Sequence, residues 1–98
     1  MKKGGYVYIV TNAHHTTVYV GMTSKLLSRI YQHKTHFYQH SFSAKYNIEY
    51  LVYYEVYGRI EDAIAREKQI KKYSRDKKNA LINSMNPEWK DLYDEMNG

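Results

Sequence analysis

A chain of 98 residues has the length of one domain, and 15 Lys and Arg against 10 Asp and Glu leave a formal charge of +5. The absence of cysteine excludes disulfides, a thiolate nucleophile and Cys-ligated zinc or iron–sulfur centres. No apolar run reaches the length of a membrane span, and the stretch behind Met1-Lys2-Lys3 is too short for a secretory signal, so the expectation is one domain over 1–98, cytoplasmic, with a polyanion as the partner that the charge favours.

Tyr6-Val7-Tyr8-Ile9-Val10-Thr11 is rich in β-branched and aromatic residues and reads as a strand, with Tyr6, Tyr8 and Val10 on one face and Val7 and Ile9 on the other. The polar segment Asn12-Ala13-His14-His15 ends it, and Thr16-Thr17-Val18-Tyr19-Val20 reads as its hairpin partner, closed by Gly21. Thr23 or Ser24 is placed to cap a helix running through Lys34, whose apolar face is Leu26, Leu27, Ile30 and Tyr31. Arg29 and His33, four residues apart, project together from another side of that helix and can address one ligand.

Residues 37–47 are polar and mixed and read as a loop with some helical turn. Residues 48–57 are the strongest strand by apolar content, suited to a central position, with Gly58 closing it. The next segment, 60–71, carries a helical apolar stripe at Ile60, Ala63, Ile64 and Ile70, and Glu67 falls on the same spacing. A carboxylate on such a face needs a cation, a metal or several donors, because desolvating it alone costs several kcal/mol, roughly. The plain alternative is a Glu67 at the stripe's edge, reaching solvent or a neighbouring Lys.

The densest positive cluster follows, with Lys71, Lys72, Arg75, Lys77 and Lys78 serving either as solvated decoration or as an anion-binding strip. Residues 79–85 read as a short helix, and Asn86-Pro87 as the cap and first turn of a terminal helix with Trp89, Leu92, Tyr93 and Met96 inward. The order ββαβαα, without regular βαβ alternation, predicts an α+β fold. His14, His15, His36 and His40 lie in or beside irregular polar segments and lack the fixed geometry of a metal site.

The motifs Tyr-Val-Tyr-Ile-Val-Thr-Asn at 6–12, Tyr-Val-Gly-Met-Thr at 19–23, Arg-Ile-Tyr-Gln-His at 29–33 and Ala-Arg-Glu-Lys-Gln-Ile-Lys at 65–71 stand in that order over nearly the whole chain. In these the sequence resembles the GIY-YIG nuclease superfamily, specifically its small single-domain bacterial branch. It departs from the family name at Tyr6, which stands at the glycine position, and at Val7, which replaces isoleucine conservatively.

The resemblance implies a three-stranded antiparallel sheet flanked by helices, carrying a metal-dependent endonuclease site for DNA, with RNA as a second candidate and no obligate protein partner. It places Tyr8, Tyr19, Arg29, His33 and Glu67 in the catalytic set, with Glu67 holding Mg²⁺ or Mn²⁺. In that scheme Arg29 steadies the phosphate oxygens, and Tyr8 orients or deprotonates the attacking water with relay through His33. Tyr19 holds water or phosphate, and Lys71, Lys72, Arg75, Lys77 and Lys78 bind the backbone. The competing expectation is a catalytically weak nucleic-acid-binding module that keeps the fold.

Overall fold

A computed structural model describes residues 4–35 and 48–97 of the chain. Three antiparallel strands, β1 (Gly5–Thr11), β2 (Val18–Thr23) and β3 (Tyr50–Tyr57), form a sheet of order β2-β1-β3. Helices α1 (Leu26–Lys34), α2 (Ile60–Lys71), α3 (Arg75–Met85) and α4 (Leu92–Asn97) flank it, giving the expected α+β architecture. The loop expected over 37–47, with His36 and His40, lies outside the described residues.

The period-two pattern of β1 divides the molecule into two cores. Tyr8 and Val10 face Leu26, Ile30, Ile48 and Leu51 beneath α1 and α4, while Val7 and Ile9 face Val20, Val52, Ala63, Ile70 and Ile82 beneath α2 and α3. Full burial of each large aliphatic side chain contributes ~1.5–3 kcal/mol relative to exposure. The central strand is therefore β1, not the 48–57 segment expected there. That segment forms an edge, and its Val56 is 64% exposed, because β1 is the strand with core on both faces along nearly its whole length.

Helix α2 sits close to β1 because both partners are small. A Cβ at Gly5 would lie 2.8 Å from the Cβ of Ala63 and 2.9 Å from Cδ1 of Ile60. This close approach fixes the helix that carries Glu67 one turn beyond Ala63. Helix α1 is rotated from its expected setting, with Leu26, Ile30 and His33 buried while Leu27 and Tyr31 are exposed. Lys25, not Thr23 or Ser24, is its N-cap residue, and the Thr23 hydroxyl accepts from the Lys25 N–H at 3.1 Å.

Pairing of β1 with β3 slips between Ile9 and Val10, which face Tyr53 and Leu51, so Val52 is an extra residue. Val52 and Tyr53 consequently both join the α2–α3 core, and the carbonyl of Val52 accepts from Nδ2 of the buried Asn86 at 3.2 Å. Asn86 also donates to the Lys90 carbonyl at 2.7 Å and accepts from the Lys90 N–H at 3.0 Å. This clasp is why Asn86-Pro87 does not open a helix as expected. The chain turns instead through Trp89 at φ 56, and α4 begins only at Leu92, with the Asp91 carboxylate accepting from the Tyr93 N–H at 3.1 Å. Leu92 and Tyr93 pack on the Tyr8 core, but Trp89 packs on the opposite one and Met96 is 36% exposed.

Two ion pairs close the frame. Asp91 also pairs with Lys34 and accepts from the Leu51 N–H at 3.1 Å, and the Lys34 ammonium lies 5.3 Å and 5.2 Å from the ring centroids of Tyr50 and Tyr93. On the other side of the sheet Glu55 accepts from Tyr53, from Tyr57 at 2.5 Å and from Arg66 Nε at 3.0 Å. Burial alone would raise the Glu55 carboxyl, but these donors outweigh it and hold its pKa below the ordinary value.

The Asn86 clasp gives a stability prediction. Replacing Asn86 with Ala strips the Val52 carbonyl and the Lys90 backbone of partners, and urea unfolding at pH 7 is expected to show a loss of about 1–3 kcal/mol. Ser84→Ala, on the exposed side of α3, is expected to stay within about 0.5 kcal/mol of the parent.

Candidate active site

The site is built around one tyrosine of the central strand. Tyr8 pairs in register with Gly21 on β2, and its ring lies across that glycine so closely that a Cβ there would fall 2.5 Å from the phenol oxygen and 2.6 Å from Cζ. Gly21 thus lies within β2, where the sequence reading ended the strand. Its role is to leave room for the ring, not to terminate the pairing. Seated there, Tyr8 is 1% exposed and its phenol oxygen reaches Nε2 of His33 at 3.1 Å.

Burial pushes the Tyr8 phenol pKa up, with the neighbouring Tyr19 adding to the rise, while the charge and donors of Arg29 oppose it. His33 moves the other way, down to about 4, chiefly because it is buried and secondarily because Arg29 is near. Phenol and imidazole are therefore both neutral around pH 7. In this bond the phenol hydroxyl donates when the imidazole proton sits on Nδ1, which leaves the phenol oxygen able to accept from a further donor, and the nearby Arg29 charge favours negative charge on that oxygen.

Tyr19 faces the same side of the sheet two residues before Gly21. Its ring centroid is 5.9 Å from that of His33, and the Tyr8 and His33 rings meet edge to face at 5.7 Å. Arg29, one turn before His33 on α1, is exposed, so its charge is available to a ligand while it acts on Tyr8. It also lines a polar cavity of 180 Å³ with Thr23, Ser24, Lys25, Ser28 and Gln32.

Glu67 approaches from α2. Its side chain is 20% exposed, its charge acts on the Tyr8 phenol, and its Oε2 lies 3.2 Å from Nζ of Lys71. Both sequence-level alternatives for Glu67 thus contain part of the arrangement, since it is largely withdrawn from water and it reaches a neighbouring Lys. The Lys71 ammonium is in turn 6.0 Å from the centroid of the Tyr19 ring. The structure thereby brings Tyr8, Tyr19, Arg29, His33 and Glu67 into one neighbourhood where β2, α1 and α2 meet.

The basic cluster does not form one strip. It is split by the break between α2 and α3, where Ser74 caps α3 by accepting from the Lys77 N–H at 3.2 Å. Arg75 turns back to the hairpin and donates to the carbonyls of Thr16 at 3.0 Å and His15 at 2.6 Å. Lys77 lies 4.2 Å from the Tyr73 ring centroid, and Lys78 is half-buried. Lys72 is exposed, and Lys71 belongs to the Glu67 site. What sequence reasoning missed is this division of labour and the Gly21 cradle. Gly21 has a sequence signal in standing opposite an aromatic residue in the hairpin register, a position where a side chain is costly.

A family model described as the GIY-YIG catalytic domain matches residues 4–80. No curated protein and no solved structure shows a significant match. The matched span runs from β1 into α3 and contains both hairpin motifs, the helix of Arg29 and His33, and the helix of Glu67. With the sheet, the tyrosine pair and the carboxylate in that order, the chain belongs to the GIY-YIG family, whose catalytic domains are nucleases in general.

Proposed function

We propose that this protein is a divalent-metal-dependent endonuclease that hydrolyses DNA phosphodiester bonds. The observation that carries the reading is the Tyr8 phenol, held between His33 and Arg29 with Glu67 acting on it from the next helix. A strand tyrosine that served only packing would have no need of this polar surround.

The donor set fits a hard cation. Glu67 offers one carboxylate whose charge reaches the Tyr8 phenol, and among the described residues no group of three His, Cys, Asp or Glu side chains is gathered for an all-protein cage. Mg²⁺ and Mn²⁺ are commonly held by one or two carboxylates, with waters and substrate phosphate oxygens completing the shell. Bound at Glu67, such an ion supplies charge neutralisation for the phosphate and for the departing 3′ oxygen.

The remaining chemistry falls to the protein's own groups. Arg29 donates to the nonbridging oxygens of the phosphodiester and stabilises the charge that grows on them. Tyr8, a neutral phenol, uses a lone pair to orient the attacking water in line with the bond to be cut. As the water attacks, its proton passes to the Tyr8 oxygen while the phenol proton moves to Nε2 of His33. A phosphate docked on Arg29 weakens one of the two effects that depress His33, which makes the imidazole a better proton acceptor when substrate is present. Tyr19 lines the same side and holds water or phosphate, and Lys72, with the other exposed cations, contributes contacts that position the backbone without reading its sequence.

The deciding experiment incubates the purified protein with duplex, single-stranded, flap and junction DNAs and with RNA, in Mg²⁺, Mn²⁺ or EDTA. Cutting of DNA that EDTA abolishes is expected, and Glu67→Ala and Tyr8→Phe are each expected to slow it by about 100-fold or more; Glu67→Ala is expected to melt like the parent, and Tyr8→Phe to keep one cooperative melt at a lower Tm, because buried His33 loses its partner. Salt-sensitive binding across the whole panel without cutting would replace the nuclease reading with that of a binding module.

The same site makes stability depend on pH with a defined sign. His33 takes up its proton near pH 6.5 when unfolded but only near pH 4 when folded, so between those values the unfolded state binds more protons. The contribution of neutral His33 is present above about pH 6.5 and is lost as the pH falls toward 4. Thermal melts at pH 7 and pH 5 are expected to show a drop in Tm for the parent that is visibly smaller in His33→Gln.

A further inference from the structure

We infer that Lys71 is the internal counter-ion of Glu67, which a divalent cation must displace to reach the carboxylate. The inference rests on the reading of Glu67 as the metal ligand and concerns how that ligand is held before metal arrives.

Helix α2 sets the two side chains four residues apart on one side, with Nζ 3.2 Å from Oε2. Such pairs on an exposed helix contribute little, because water competes for both ends. Here the carboxylate side is different, since Glu67 is 20% exposed while Lys71 is 48% exposed. Lys71 is also the last residue of α2, where the backbone carbonyls favour a cation. The Tyr19 ring, 6.0 Å from the ammonium, adds a second attraction that keeps it at the rim of the site.

These features separate Lys71 from the rest of the basic cluster. Arg75 is spent on the hairpin carbonyls and Lys77 lies over Tyr73. Lys71, by contrast, pairs directly with a member of the candidate catalytic set. An ion coordinated by Glu67 would sit a few ångströms from the ammonium if Lys71 kept its present place, and at that range the two positive centres repel strongly. Metal entry is therefore an exchange: the ammonium gives up Oε2 and the cation takes it. The displaced Lys71 remains tethered to the end of α2 beside Tyr19, on the side where a phosphate backbone would meet it. The pairing keeps Glu67 compensated in the metal-free protein at the cost of weaker metal affinity.

The test is a Mn²⁺ titration of the purified protein without nucleic acid, followed by the electron paramagnetic resonance of the free ion. Compared are the parent, Lys71→Gln, Lys71→Arg and Glu67→Gln. Lys71→Gln is expected to bind Mn²⁺ tighter by about threefold to tenfold, and Lys71→Arg to stay near the parent. Glu67→Gln is expected to lose the site. A residue that merely supported the fold would not give tighter binding on removal, nor be rescued by Arg. If Lys71→Gln binds Mn²⁺ equally or more weakly while Glu67→Gln still loses it, the counter-ion role is overturned and the reading of Glu67 stands. If Mn²⁺ binding survives Glu67→Gln unchanged, both are overturned.

Discussion

The structure turns on a phenol that has no room to be anywhere else. Tyr8 lies in the strand with core on both sides, its ring spread over the bare backbone of Gly21 and its hydroxyl bonded to His33. His33 is buried on the same face of α1 as Leu26 and Ile30, which pack in the Tyr8 core, and this setting of the helix leaves Arg29 on the open side. On the other face, the Gly5 and Ala63 contact brings α2 down to β1 and so delivers Glu67. Two glycines on neighbouring strands, each sparing a Cβ, set the distances of the whole site.

Among the described residues Glu55 and Glu67 each stand in a cluster of carboxylate, tyrosine and basic residue, and comparing the two separates structure from chemistry. Glu55 accepts from Tyr53, Tyr57 and Arg66, with Arg66 braced further by Gln69 and Tyr73, so its oxygens are filled. Such a closed network fixes β3 to α2 and has little to offer a ligand. Glu67 carries an ion pair to a lysine that is half in solvent, near a phenol with a lone pair to give and an exposed guanidinium. The second cluster is the one whose partners can be exchanged for a substrate's charge.

Much of this was legible in the residues themselves. The alternation of Tyr6 through Val10 assigns the two faces correctly, and the helical spacing that singled out Glu67 places it on a partly buried side of α2. Less was legible where long-range geometry decides. Apolar content favoured 48–57 as the central strand, but pairing order depends on which strand must serve two cores, and that is β1. The helical stripe on α1 offered Leu27 and Tyr31 and set His33 on another side with Arg29, whereas in the fold Leu27 and Tyr31 are exposed and His33 is buried against the Tyr8 hydroxyl, 25 residues away in sequence. The Asn86 clasp answers a carbonyl freed by the Val52 bulge, so a cap-and-proline signal that is sound locally is overridden by a backbone group 34 residues away. The basic run reads as one strip in sequence, whereas a helix break aims its members at different neighbours.

The central claim is that one carboxylate, two phenols, an imidazole and a guanidinium meet a single phosphodiester. A crystal of the protein with Mn²⁺ and a DNA oligonucleotide addresses it most directly, because anomalous scattering locates the ion independently of the chain. The account predicts manganese on Glu67, with a backbone phosphate between it and Arg29 and a water within reach of the Tyr8 oxygen. Manganese and phosphate both seated away from these groups, in a protein that still cuts DNA, would contradict it.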